Sequence, residues 1–204
     1  MVNASEALER LQDGNRRFVA HGYGSGELIA HSHIAALIDY QTPFAIILGC
    51  SDSRVPAEIV FDQGLGDLFV IRVAGNIAAE SQIGSIEYAA THFGTSLVLV
   101  MGHTRCGAVE ATVDALTGPS SEESENIRLL ADLIRPSVEP LVAQAANLGR
   151  EELIHRAVQA NVRRTVATLS EKSDVLGGLI RGERLTIVGA EYAIETGEVT
   201  FFDA

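Results

Sequence analysis

Two short polar clusters in this chain carry residue types that bind metals. One is Cys50-Ser51-Asp52-Ser53-Arg54, the other Gly102-His103-Thr104-Arg105-Cys106-Gly107, and between them they hold the only two cysteines present. Together they offer two thiolates, one imidazole and one carboxylate, the donor types zinc prefers. His103 and Cys106 are three apart, so a turn or a first helical turn lets both reach one ion. Cys50 and Asp52 are two apart, so on an extended segment they point to the same side. Cys50, His103 and Cys106 make a three-ligand set with one position left over. In a closed site that position goes to Asp52; in an open, catalytic site it goes to water.

Asp52 decides between the two. Arg54 lies two residues on, and a guanidinium beside a carboxylate keeps it ionised and can grip it through two oxygens. With Asp52 so held, the fourth position falls to water. Zinc with two thiolates is formally neutral and acidifies water less than zinc on three neutral histidines. An ionised Asp52 can accept the hydrogen bond of zinc-bound hydroxide and so aim its lone pair. The implied reaction is addition of hydroxide to a small electrophile. If Asp52 swings onto zinc the site closes, and low pH favours closure because protons compete against hydroxide. Blander readings stand beside this one: Asp-x-Arg is usually a surface ion pair, His-x-x-Cys alone is weak evidence, and two cysteines can form a disulfide. The placement of both cysteines among ligand-type residues favours a metal.

The elements that must position these groups are visible as apolar runs. Phe44–Gly49 and Ser96–Met101 are nearly continuous and read as strands buried on both faces. Further strands are expected at Leu68–Arg72, Leu185–Ala190 and, at an edge, Gly197–Phe202. Asn3–Ala20 reads as an amphipathic helix, with Leu8, Leu11 and Phe18 near one face and Glu9, Arg10 and Arg16 towards solvent. A glycine-rich turn at Gly22–Gly26 and a short helical stretch towards Tyr40 follow. Pro56 can open a short helix towards Phe61. Gln82–Phe93 has helical spacing, and helix dominates from Gly107 to about Ile180, broken near Pro119, Pro136 and Pro140. Strands alternating with helices specify an α/β fold: a single domain over 1–204, a mainly parallel central sheet of four to five strands flanked by helices, and an N-terminal helical arm over 1–40. Such sheets bind ligands beyond the carboxyl ends of their strands, where Cys50 and His103 are expected.

A length of 204 residues with 47% hydrophobic and 21% charged residues suits one domain with a real core. The net charge of −12 argues against nucleic acid as a partner, because a phosphate backbone wants a basic surface. No apolar run reaches the roughly 18 residues that span a bilayer, so no membrane partner is expected. Met1–Arg17 has no apolar stretch of the secretory kind. The expected compartment is the cytoplasm, where thiols stay reduced.

The two clusters resemble the β-class carbonic anhydrases, whose pattern is Cys-x-Asp-x-Arg followed some fifty residues later by His-x-x-Cys. The resemblance covers nearly the whole chain. It takes in Ala7-Leu8-Glu9-Arg10-Leu11 through Gly14-Asn15-Arg16-Arg17-Phe18, then Cys50 through Pro56, Asp67 through Arg72, Ala74-Gly75-Asn76, and Gly102 through Ala108. It implies reversible hydration of CO2 to bicarbonate and a proton, with Zn2+ on Cys50, His103 and Cys106. Asp52 and Arg54 would form the catalytic dyad, with Asp52 a zinc ligand only in a closed state. Gln41 matches a glutamine that reaches into a neighbouring subunit's site in plant-type members. Phe69 and Tyr88 match apolar lining near it, and Gly107 a backbone N–H that can bind substrate oxygen. The family is built on dimers with sites at the interface and the N-terminal helix over the partner, often paired into tetramers.

One departure concerns regulation. Some bacterial members bind bicarbonate in a second pocket using a Trp three residues before the first zinc Cys, an Arg and a Tyr. Arg72 and Tyr192 match the last two, but Ile47 stands at the Trp position and the chain has no Trp. Together with Gln41 this favours the open form at neutral to alkaline pH. CS2 or COS as substrate, and a non-catalytic zinc scaffold, are the competing readings; the intact Asp52–Arg54 pair argues against the scaffold. His21, His31 and His33 read as solvated loop residues, and His92 and His155 as ordinary helical ones.

Overall fold

The structure is a computed structural model that describes residues 2–21, 37–118, 124–144 and 148–202. Five strands, β1 (Ala45–Gly49), β2 (Leu68–Arg72), β3 (Leu97–His103), β4 (Thr186–Tyr192) and β5 (Val199–Phe201), form one sheet in the order β2-β1-β3-β4-β5. β1 runs parallel to β2 and β3, β3 runs parallel to β4, and β5 returns antiparallel on β4. Every residue of β1 and β3 is buried. That follows from aliphatic runs in a parallel sheet covered on both faces. The chain passes from β1 outward to β2, then returns across β1 to β3 and proceeds the other way. The carboxyl ends of β1 and β3 are therefore the switch point at which open α/β sheets bind ligands.

Helices clothe the sheet: α1 (Ala4–His21), α2 (Ala57–Val60), α3 (Glu80–His92), α4 (Gly107–Thr117), α5 (Glu125–Gln144), α6 (Arg150–Lys172) and α7 (Asp174–Arg181). Strand alternation splits the core. Ile47, Leu99 and Met101 pack with Ala7 and Leu11 of α1 and with Val60 of α2. Ile46, Leu48, Val98 and Val100 pack with Ile86 of α3, Val162 of α6 and Leu176 of α7. A third cluster joins Cys50 and Cys106 to Val109, Ile134 and Val158 of α4, α5 and α6, so the metal-type residues sit on packed helices.

The sequence expectations need correction at several points. β3 runs two residues beyond Met101, because Gly102 and His103 pair in register with Glu191 and Tyr192; His103 is thus the last residue of its strand rather than a residue past it. Pro136 and Pro140 lie inside α5 and do not break it. They are four apart on the exposed side of the helix, and the residues whose carbonyls lose a helical N–H to them, Asp132 and Pro136, are themselves exposed. The amphipathic helix expected near the N-terminus is present as α1: Ala7, Leu11, Gly14 and Asn15 are buried within the chain, and a Cβ on Gly14 would collide with the Phe61 carbonyl. Asn15 donates to Val60 O at 3.1 Å and Gly197 O at 2.8 Å, and accepts from Val199 N–H at 2.9 Å. Ile47 and Tyr192 belong to the packed core. The glycine-rich turn, His31, His33 and Pro119 lie outside the described residues.

Candidate metal centre

The first cluster begins where β1 ends. Ser51 N–H donates to Val73 O at 3.3 Å and Val73 N–H to Gly49 O at 3.1 Å, which lashes the start of the loop to the chain leaving β2. The Arg72 guanidinium then donates from Nε to Cys50 O at 3.0 Å and from Nη2 to Asp52 O at 2.5 Å. Gly75, at φ 71°, directs its N–H to Cys50 Sγ at 3.4 Å. A side chain there would strike Ile134, so both the conformation and the space require glycine. The second cluster leaves β3 through a tight turn in which Arg105 takes a left-handed φ of 56°. Cys106 caps α4, and the first N–H groups of that helix lack intrahelical partners and face its sulfur side.

These two loops bring Cys50, His103 and Cys106 together, with all their ligand atoms within 4.8 Å of one another. The two sulfurs are 4.0 Å apart and neither cysteine is in a disulfide. A tetrahedral zinc with Zn–S bonds of about 2.3 Å separates two sulfurs by about 3.8 Å. His103 is fully buried; its Nδ1 donates to Thr104 O at 2.8 Å, while its Nε2 has no hydrogen-bond partner among the described residues. A buried lone pair without a donor is costly. The Nδ1 contact fixes the tautomer that presents Nε2 as a ligand. The donor set and the orphaned nitrogen fit zinc. The hydrogen bond from Cys106 lowers the pKa of the Cys50 thiol against its burial, and that bond, with burial, pushes the Cys106 thiol up. A dication takes both as thiolates and removes this competition for one proton.

Asp52 is turned to Arg54. Its Oδ1 accepts from Arg54 N–H at 3.0 Å and from Nε at 2.9 Å, and its Oδ2 accepts from Nη2 at 2.7 Å. These bonds outweigh partial burial and hold the carboxyl well below the usual carboxylate range. Arg54 also reaches Arg105 O at 3.4 Å, so it touches both loops. Asp52 Oδ2 still lies 3.9 Å from His103 Nε2, beside the ligand atoms.

The carbonic anhydrase family's sequence model matches residues 45–199. The chain belongs to the β-class carbonic anhydrases. It is 40% identical over 205 residues to carbonic anhydrase 2 of Mycobacterium tuberculosis, covering 99% of this chain and 94% of that one. A β-carbonic anhydrase structure from Aspergillus fumigatus superposes with a TM-score of 0.76 at 24% identity, over 98% of this chain and 90% of the other. Structures of two tetrameric β-carbonic anhydrases from Sordaria macrospora give a TM-score of 0.76 at 21% identity, over 85% and 88%.

The other residues matched to the β-carbonic anhydrase pattern fall in two places. Gly107 is the first residue of α4, next to Cys106, and nothing lies within 4 Å of where its Cβ would be. Its bareness is not required by packing. Gln41, Phe69 and Tyr88 are not brought to the cluster of their own chain. Gln41 is exposed and precedes β1, whereas Cys50 follows it, so the whole strand separates them. Phe69 pairs in register with Ile46, well back from the carboxyl end. It packs at 6.3 Å from Tyr88, whose ring stacks on His92 at 4.2 Å. The bracing contacts of Arg72, Gly75 and Thr104 were not assigned from sequence. Their signal lay in the matched runs around them, which gave position but no partner.

Proposed function

We propose that this chain is a zinc enzyme that catalyses the reversible hydration of CO2 to bicarbonate and a proton. The observation that carries this reading is an ionised Asp52 held beside the ligand atoms by Arg54 rather than among them. A zinc that only braces the fold has no use for such a carboxylate. Cys50, His103 and Cys106 hold the metal. Zinc would supply positive charge and an acidified water. Asp52 accepts a hydrogen bond from the attacking water and fixes its lone pair towards carbon. Arg54 keeps Asp52 ionised and oriented. The Gly107 N–H, at the positive end of α4, binds a substrate oxygen as charge develops on it. Stopped-flow CO2 hydration by zinc-loaded protein at pH 7 and pH 8.5 tests this; no activity at either pH defeats it.

The working unit is a homodimer, or two dimers paired as a tetramer, in which Gln41, Phe69 and Tyr88 complete the site of the neighbouring subunit. Exposed apolar residues support this: Ile38 and Tyr40, just before Gln41, are exposed at 76% and 67%, and Tyr88 at 48%. The tetrameric Sordaria relatives point the same way. Light scattering on the purified protein reads the assembly directly, and a monomer at micromolar concentration overturns it. The cytoplasm is the compartment that suits two thiols 4.0 Å apart, since it keeps them reduced for metal. Fractionation of the source cells tests that assignment.

A further inference from the structure

We infer that Glu195, in the turn between β4 and β5, is a positioning residue that clamps the His103–Cys106 loop in its metal-holding shape. The inference rests on zinc binding at Cys50, His103 and Cys106. Glu195 uses both carboxylate oxygens on the two residues between the ligands. Oε2 accepts from Thr104 Oγ1 at 2.7 Å, and Oε1 accepts from Arg105 Nε at 2.6 Å. Thr104 is gripped further: its N–H donates to Tyr192 O at 2.9 Å, and its Oγ1 accepts from Ile194 N–H at 3.0 Å.

Each of these bonds bears on a ligand. Thr104 O receives the Nδ1 proton of His103, so fixing Thr104 fixes the imidazole. Arg105 sits at a left-handed φ that a non-glycine residue holds only when its surroundings impose it. Arg105 O also receives Arg54, so the same turn supports the partner of Asp52. The turn carrying Glu195 is itself anchored. Asn15 of α1 is buried and bonds Gly197 O and Val199 N–H on one side and Val60 O, after the first cluster, on the other. A carboxylate on an anchored hairpin thus holds a strained turn that would otherwise relax. Groups that orient metal ligands at one remove typically alter metal affinity by about 10–100-fold when lost.

The test is the rate at which zinc-loaded protein releases metal to an excess of a chromogenic chelator, with the thermal midpoint recorded alongside. Glu195→Ala should release zinc about tenfold faster or more. Arg150→Ala, which breaks an equally exposed ion pair with Asp114, should release at the wild-type rate. Glu195→Gln keeps an acceptor for Thr104 and should fall in between. Thr104→Val added to Glu195→Ala should accelerate release little further, because the two act through one contact. Release by Glu195→Ala within twofold of wild type overturns the inference, as does an equal acceleration by Arg150→Ala. If Glu195→Ala does not fold, Glu195→Gln decides, and a rate within twofold of wild type counts against the clamp. Wild-type protein that binds no zinc would instead defeat the metal assignment itself.

Discussion

The Asp52 carboxylate stands 3.9 Å from the partnerless Nε2 of His103, yet its three hydrogen bonds all go to Arg54. A carboxylate so placed can act on a molecule bound beside it without ligating. Asp52→Asn keeps the size and removes the charge, and none of the three metal-type side chains changes. Zinc content, by elemental analysis, should stay near one per chain. Stopped-flow turnover should drop by about a hundredfold or more, the scale expected when a positioned proton acceptor is lost. Full activity in this variant refutes the dyad.

Cys106 is 1% exposed, caps α4 and holds its sulfur 4.0 Å from that of Cys50, the spacing of two sulfurs that share an ion. Cys106→Ser should purify with little zinc, and an unchanged zinc content would remove Cys106 from the ligand set. Chelating zinc from the wild type leaves two sulfurs 4.0 Å apart with no ion between them. Air should then consume both thiols, counted with a thiol reagent in denaturant, while zinc-loaded protein keeps them.

Two glycines beside the ligands separate shape from space. A Cβ on Gly102 would come 2.6 Å from Val162 Cγ2 and 3.3 Å from Val158 Cγ1, whereas one on Gly107 meets nothing within 4 Å. Gly102→Ala should therefore destabilise the protein by about 1–3 kcal/mol in urea unfolding, the usual cost of overpacking. Gly107→Ala should unfold at the wild-type midpoint and lose activity if, as proposed, the methyl group intrudes where substrate oxygen is bound. Loss of stability in Gly107→Ala with unchanged turnover would reverse the assignment.

Cys50, His103 and Cys106 are legible in the sequence because the chain has only two cysteines, each among ligand-type residues at the end of an apolar run. Their meeting is less local. It needs β1 beside β3, with β2 sent to the edge, and no short-range signal sets that order. The bracing contacts are harder still. Arg72 meets Cys50 O, and Glu195 meets Thr104, through chain segments far apart in sequence, and nothing in residue type names the partner. The prolines of α5 mislead for a different reason. Proline costs a helix one hydrogen bond and crowds the carbonyl four residues back, but Pro136 and Pro140 lie on an exposed face, where a local bend disturbs no packing.

Asp52 also fixes the sign of a pH effect. Its hydrogen bonds from Arg54 lower the folded-state pKa, and the same contact raises that of Arg54. A lowered carboxyl pKa means that the native state binds fewer protons than the unfolded chain in acid. The stabilisation is complete above the unfolded value of about 3.9 and is lost as pH falls through the folded one. Both members of the dyad therefore stay charged from about pH 5 to pH 9. Any fall in kcat/KM towards acid within that window belongs to another group. Asp52→Asn should lower the whole kcat/KM profile and leave the midpoint of its acid limb in place. A midpoint displaced by more than about one unit would tie the limb to Asp52.

Gln41 lies before β1 and Cys50 after it, so one chain cannot serve its own metal cluster with that side chain unless the strand between them is undone. In the proposed homodimer Gln41→Ala and Asp52→Asn should each be poor enzymes, since every dimer of either kind carries two damaged sites. Co-expressed in equal amounts, they pair at random, and half of the dimers are mixed. A mixed dimer holds one site with both defects and one with neither, because the intact Asp52 and the intact Gln41 come from different chains. Activity should recover to about a quarter of wild type. If Gln41 worked on its own chain, each site of the mixed dimer would keep one defect, and co-expression would give only the average of the two variants.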